Sequence, residues 1–130
     1  MATRQQRAIV QQGGFTLVEL LVVIAIISVL AAIAIQALGR YRAQAYDAAA
    51  MHDLANAVKA EEAYYATFQT YVSFSAVGPA MLTVPQTAIS GTVTIDVVAE
   101  DGSFSGTATS SRGSGKTFSY DSITDTFVSN

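Results

Sequence analysis

Cysteine and tryptophan are absent from the 130-residue chain, histidine occurs once, at His52, and proline only twice, at Pro79 and Pro85. Without cysteine there is neither a disulfide framework nor a thiolate metal site, and a lone histidine excludes a multi-histidine metal centre. Charge is scarce as well. Charged residues make up 13% of the chain against 51% apolar, a proportion foreign to an ordinary soluble enzyme. An excess of positive charge is also missing: the formal net charge is -3, and after residue 14 only Arg40, Arg42, Lys59, Arg112 and Lys116 stand against ten acids. A nucleic-acid binder needs the reverse balance, a basic stripe that displaces counterions from phosphates, so no specific nucleic acid is expected as a partner. No nucleophile–base pair, phosphate loop or metal cluster can be assembled from this inventory, so catalytic residues, a cofactor and a metal are all expected to be absent.

What is present falls into three successive compositions. Residues 1–14 are polar, with Arg4 and Arg7 as their charges; residues 15–70 are apolar and then alanine-rich; the remainder is rich in Ser, Thr and Gly. Residues 17–38 contain one charge, Glu19, and two other strongly polar breaks, Ser28 and Gln36, which is the composition of a membrane-spanning helix. From 15 to 69 there is no proline and one glycine, Gly39. This predicts a single helix of roughly 80 Å at a rise of about 1.5 Å per residue, longer than the ~30 Å hydrocarbon core of a bilayer. The part at 15–40 suits lipid, and the part at 41–70 must project into water and cover an apolar side. Helical spacing places Met51, Leu54, Val58, Tyr65 and Phe68 on one stripe, with His52, Asn56 and Lys59 opposite and Glu61 intruding.

Beyond Tyr71 a connector containing Gly78, Pro79 and Pro85 leads to short alternating segments at 92–99, 103–109, 116–121 and 124–128. Asp101-Gly102 and Gly113-Ser114-Gly115 supply turn chemistry between them. Val93, Ile95 and Val97 alternate with Thr92, Thr94 and Asp96, giving one apolar and one wet face. The expected fold is therefore α+β: a long N-terminal helix, membrane-spanning then amphipathic, packed on a small antiparallel sheet of about four strands in residues 71–130.

Arg4 and Arg7 ahead of the apolar run fit a segment retained in the cytoplasm, with the chain beyond the run exported. The run is too long for an ordinary secretory signal and no small-x-small cleavage site comes after it; instead Gly13-Gly14 stand directly before it, on the cytoplasmic side. The segment GGFTLVELLVVIAIISVLAAIAI resembles the class III signal and N-terminal helix of type IV pilins and the related pseudopilins. The resemblance implies a cleaved leader at 1–14, with a membrane aspartyl prepilin peptidase cutting after Gly14 and methylating the amine of Phe15. It also implies an assembly role for Glu19, whose carboxylate pairs with the new amine of a neighbouring subunit. The partners implied are further copies of the chain in a helical homopolymer, the prepilin peptidase, the pilus assembly platform protein and its ATPase. The expected location is the inner membrane, single pass, before assembly and the extracellular pilus after it. A pseudopilin of type II secretion and an uncleaved membrane-anchored binding module remain the alternatives. Many relatives have glycine and proline where this chain has Ser28 and Gln36, so a more continuous helix is expected here.

Other groups carry less. Asp96, Glu100 and Asp101, and Asp121 with Asp125, do not match calcium-loop spacing and read as solvated turn acids. Tyr41, Tyr46, Tyr64, Tyr65, Phe68 and Tyr71 read as packing residues, and His52 as a surface histidine.

Overall fold

The computed structural model describes residues 13–83 and 85–130. The leader expected at 1–14, with Arg4 and Arg7, lies outside the described residues apart from Gly13 and Gly14. The chain divides into two units, Met1–Gln36 and Ala37–Asn130.

Helix α1 runs unbroken from Leu17 to Phe68, through Ser28, Gln36 and Gly39. Strong helix formers and the absence of proline sustain it. It stops at Gln69, which takes a left-handed φ of 57° while its amide donates to the Tyr65 carbonyl at 2.8 Å, a C-terminal cap that Gly or Asn usually provides. In the first unit, Leu17, Val18, Leu20, Leu21, Ile24 and Ile27 and their neighbours are each at least half exposed, on every side of the helix. A helix apolar all round belongs in lipid or in the middle of an assembly. Ser28, the hydroxyl inside the run, turns its Oγ to the Ile24 carbonyl at 2.7 Å, so its polar group is satisfied within the helix.

In the second unit seven strands succeed the helix: β1 Phe74–Val77, β2 Ala80–Thr83, β3 Gln86–Ile89, β4 Val93–Glu100, β5 Ser103–Ser110, β6 Thr117–Asp121 and β7 Thr126–Ser129. Five form one sheet in the order β1-β4-β5-β6-β7, and β2 and β3 form a separate two-stranded sheet. All pairs are antiparallel. The inner face carries Val93, Ile95, Val97, Phe104, Ala108 and Tyr120, which make one buried cluster with Ala50, Leu54 and Ala57 of the helix. Small residues set the spacing: a Cβ on Gly106 would lie 2.9 Å from Leu54 Cδ1, so the helix rests almost on the β5 backbone. Full burial of Leu54 there contributes about 2 kcal/mol.

The α+β architecture and the last four strands agree with the sequence reading to within one or two residues at each end. The connector does not: it holds β1, which extends the sheet to five strands, and the β2–β3 hairpin. These strands have four residues each and are separated by Gly78-Pro79 and by a segment containing Pro85, too short for alternation to stand out. The stripe on the helix is also corrected. Met51 and Phe68 are 47% and 60% exposed, and the buried face is Asp47, Ala50, Asp53, Leu54, Ala57 and Glu61. Ranking by apolarity favours Met and Phe, whereas the sheet approaches closely only over alanines, and the acids are buried because loop amides need acceptors.

Three carboxylates supply those acceptors. Asp47 accepts Ser114 N at 3.0 Å and Ser114 Oγ at 2.5 Å. Asp53 accepts Ser90 N at 2.6 Å and Ser90 Oγ at 3.2 Å. Glu61 Oε2 accepts Val72 N at 3.0 Å, while Oε1 is buried with no hydrogen-bond partner. A line of rings, Tyr65, Tyr71, Phe104, Tyr120 and Phe127, continues from the helix into β7 with successive centroids 4.5 to 5.5 Å apart. Within it the Tyr120 hydroxyl donates to Asp125 at 3.0 Å, and burial together with that carboxylate pushes its pKa up to about 12.

Burial raises the pKa of Glu61, helped by the neighbouring Glu62 and opposed by the Val72 bond. A carboxyl whose folded pKa is raised stabilises most below its ordinary value and loses that contribution as pH rises through the raised one. Glu61→Gln keeps an acceptor for Val72 and carries no charge. The melting temperature of this variant should match wild type in acid and overtake it as pH rises towards neutrality; a difference independent of pH would contradict the assignment.

Candidate processing and assembly site

Gly13, Gly14, Phe15 and Thr16 precede the helix without regular structure, and all four are exposed. Among the described residues a Cβ at either glycine would meet no atom within 4 Å, and Phe15 is 91% exposed. No side chain or strand among the described residues covers the Gly14–Phe15 peptide.

The next residues close the helix end. The Thr16 amide donates to Glu19 Oε2 at 2.8 Å, the Thr16 hydroxyl donates to the same oxygen at 2.9 Å, and the Glu19 amide donates to Thr16 Oγ1 at 3.2 Å. This is a reciprocal capping box, in which residues N-cap and N3 satisfy each other's orphan amides. Thr-x-x-Glu is legible in the sequence as such a box, yet the resemblance gives Thr16 no role of its own and leaves Glu19 only pairing with a neighbour's amine. Glu19 also stands in the first turn, where the positive end of the helix dipole favours an acid. Both side-chain bonds fall on Oε2, so Oε1 takes no part in the box.

Gly13, Gly14, Phe15, Thr16 and Glu19 therefore sit together at one helix start. The remaining candidates are dispersed. His52 is exposed on the helix. Asp121 Oδ1 accepts the Ile123 and Thr124 amides at 2.8 and 3.3 Å, and Asp125, at a left-handed φ of 50°, accepts the Tyr120 hydroxyl, so these acids serve their own turn. Among the described residues no group of three or more His, Cys, Asp or Glu side chains is arranged to hold a metal ion. Tyr64 packs on Phe68 at 4.5 Å and Tyr65 stacks on Tyr71 at 4.5 Å. Tyr46 lies beneath the Arg112 guanidinium, 5.2 Å from its centroid.

Residues 10–35 match the family model described as the prokaryotic N-terminal methylation motif. The motif matches a class III signal peptide of type IV pilin-like proteins. No curated protein matches the chain. The motif points to a structural subunit of pilin or pseudopilin type rather than an enzyme, and it implies processing by prepilin peptidase. Helix α1 is long and apolar enough to cross a membrane, and with the motif it marks a membrane-anchored protein.

Proposed function

We propose that the chain is the structural subunit of a type IV pilus, cut after Gly14, N-methylated at Phe15 and polymerised through its N-terminal helix into a surface filament for adhesion, motility or DNA uptake. The observation that carries this reading is the match of residues 10–35 to the methylation motif, continuing into a helix apolar on every side. Cutting on the cytoplasmic side of the run removes residues 1–14 and leaves the anchor in place. The new amine at Phe15 is the positive partner for Glu19 of an adjacent copy, and we assign Oε1 to it because Oε2 serves the capping box. The inner membrane holds the subunit until the platform protein and its ATPase draw it into the fibre. There the same apolar surface is buried against other copies at roughly 25 cal/mol per Å² removed from water.

Intact mass of the chain in sheared surface material and in washed membranes of its native host tests this. A species beginning at methylated Phe15 in the sheared fraction is the expected result. The same species confined to membranes would favour a pseudopilin, and a chain beginning at Met1 in both fractions would overturn processing altogether.

A further inference from the structure

We infer that the helix segment at 40–46 and the β5–β6 loop at 111–116 form a basic collar that binds the phosphates of anionic lipid headgroups before the subunit enters a filament. The inference rests on the proposal that the apolar run is inserted in a bilayer.

The run ends at Leu38, and Arg40, Tyr41 and Arg42 come directly after it, Arg40 and Tyr41 among the exposed residues of the helix. At about 1.5 Å per residue, Arg40 and Arg42 stand roughly 3 and 6 Å beyond the last apolar side chain, which is the depth of the headgroup layer. These cations do not serve topology. Arg4 and Arg7 before the run mark the retained side, and Arg40 and Arg42 stand on the exported side, where the rule that orients a span gives cations no part.

The loop joins them through the helix. Tyr46 stands four residues after Arg42 on the same face, and Arg112 lies over its ring at 5.2 Å. Asp47 holds Ser114 by both amide and hydroxyl. Gly113 lets the loop come this close, because a Cβ there would overlap Asp47 Oδ1. Lys116 ends the same loop and is exposed. Arg112 is carried at the level of Tyr46, about 12 Å past Leu38, close to one Debye length from a headgroup surface at physiological salt.

Charge along the sheet points the same way. Strand β5 runs from the Asp101-Gly102 turn to this loop, roughly 26 Å at 3.3 Å per residue. The far end carries Glu100, Asp101, Asp121 and Asp125; the near end carries Arg112 and Lys116. Four of the five cations beyond residue 14 belong to the collar. A head with more acids than bases is repelled by an anionic surface unless it presents this end.

The chain has no cysteine, so single-cysteine labelling of the full-length protein in vesicles is direct. Fluorophores at Ser111→Cys, Asp101→Cys and Ile27→Cys would be read with headgroup-nitroxide lipid, in phosphatidylglycerol/phosphatidylcholine and in pure phosphatidylcholine vesicles. The label at 111 should be quenched in the mixed vesicles, with loss of quenching at high salt and in phosphatidylcholine, and the label at 101 should not. Arg112→Gln with Lys116→Gln should lower the ratio of docked to undocked heads roughly 3-fold, since the attraction of each cation has fallen to about a third at one Debye length. With the label at 27 shielded by lipid throughout, quenching at 111 that ignores lipid charge, or that equals quenching at 101, overturns the collar alone. Quenching that appears only as protein density rises gives the patch to a second copy and also overturns it. A label at 27 open to aqueous quencher removes the inserted state, and the collar with it.

Discussion

Gly78→Ala should leave the second unit unable to fold. The Gly78 amide donates to the Val93 carbonyl at 2.8 Å, and a Cβ on it would overlap the Ser90 carbonyl oxygen. Ser90 cannot step aside cheaply. Its carbonyl accepts the Val93 amide at 3.0 Å and its own amide and hydroxyl are held by Asp53. Relief of the overlap breaks the start of β4 or the helix-to-loop bonds, and about 1–3 kcal/mol of overpacking plus about 1–3 kcal/mol for each buried group left unpaired together reach a domain stability of about 5–15 kcal/mol. Circular dichroism of the detergent-solubilised chain should show strand signal lost and helix kept only over the apolar run, with rapid proteolysis in the second unit. Gly91→Ala is the control, since its Cβ would meet only Pro79 Cδ at 3.8 Å, ordinary contact, and should fold as wild type.

Glu19→Ala should abolish surface filaments while the chain still accumulates in the membrane. Alanine removes two things at once, the capping box with Thr16 and the charge proposed to meet a neighbour's amine. Glu19→Gln separates them: glutamine at N3 closes the same box, so helix capping survives and the charge does not. Thr16→Ala makes the opposite cut by removing the N-cap oxygen and keeping the carboxylate. If pairing with the amine drives assembly, Glu19→Gln fails like Glu19→Ala, and Thr16→Ala makes filaments. Filaments from Glu19→Gln and none from Thr16→Ala would instead mean that capping is the whole of the role. Fibre counts by electron microscopy, beside membrane levels of each variant, decide it.

Much of the fold is legible in the sequence where a pattern repeats. The apolar run declares the first part of α1, and Val93, Ile95 and Val97 declare β4 by alternation. Turn chemistry places the next hairpins: Gly102 and Gly115 take the left-handed φ values of 78° and 89° that the Asp101-Gly102 and Gly113-Ser114-Gly115 sequences suggest. Strands β1, β2 and β3 are not legible, because four residues offer one or two alternations and their pairing is decided by distant partners such as Val97 for Phe74. The inner helix face is misread for a different reason. Asp47, Asp53 and Glu61 have the composition of a solvated face, and only the loop amides that meet them, 67, 37 and 11 residues away, justify their burial. At the candidate site Gly13, Gly14, Phe15 and Glu19 are read from a motif whose spacing is local, and the capping box at Thr16 and Glu19 is written in the same letters.

The three helix carboxylates fix the roots of the connector and two loops, at Val72, Ser90 and Ser114, and leave the Asp101-Gly102 turn without such an anchor. Gly102 has open space around it, so a foreign peptide spliced between Asp101 and Gly102 would lengthen a tip without moving a root. A polymer of such chains would repeat the graft once per subunit, which makes this turn the place to build a display fibre.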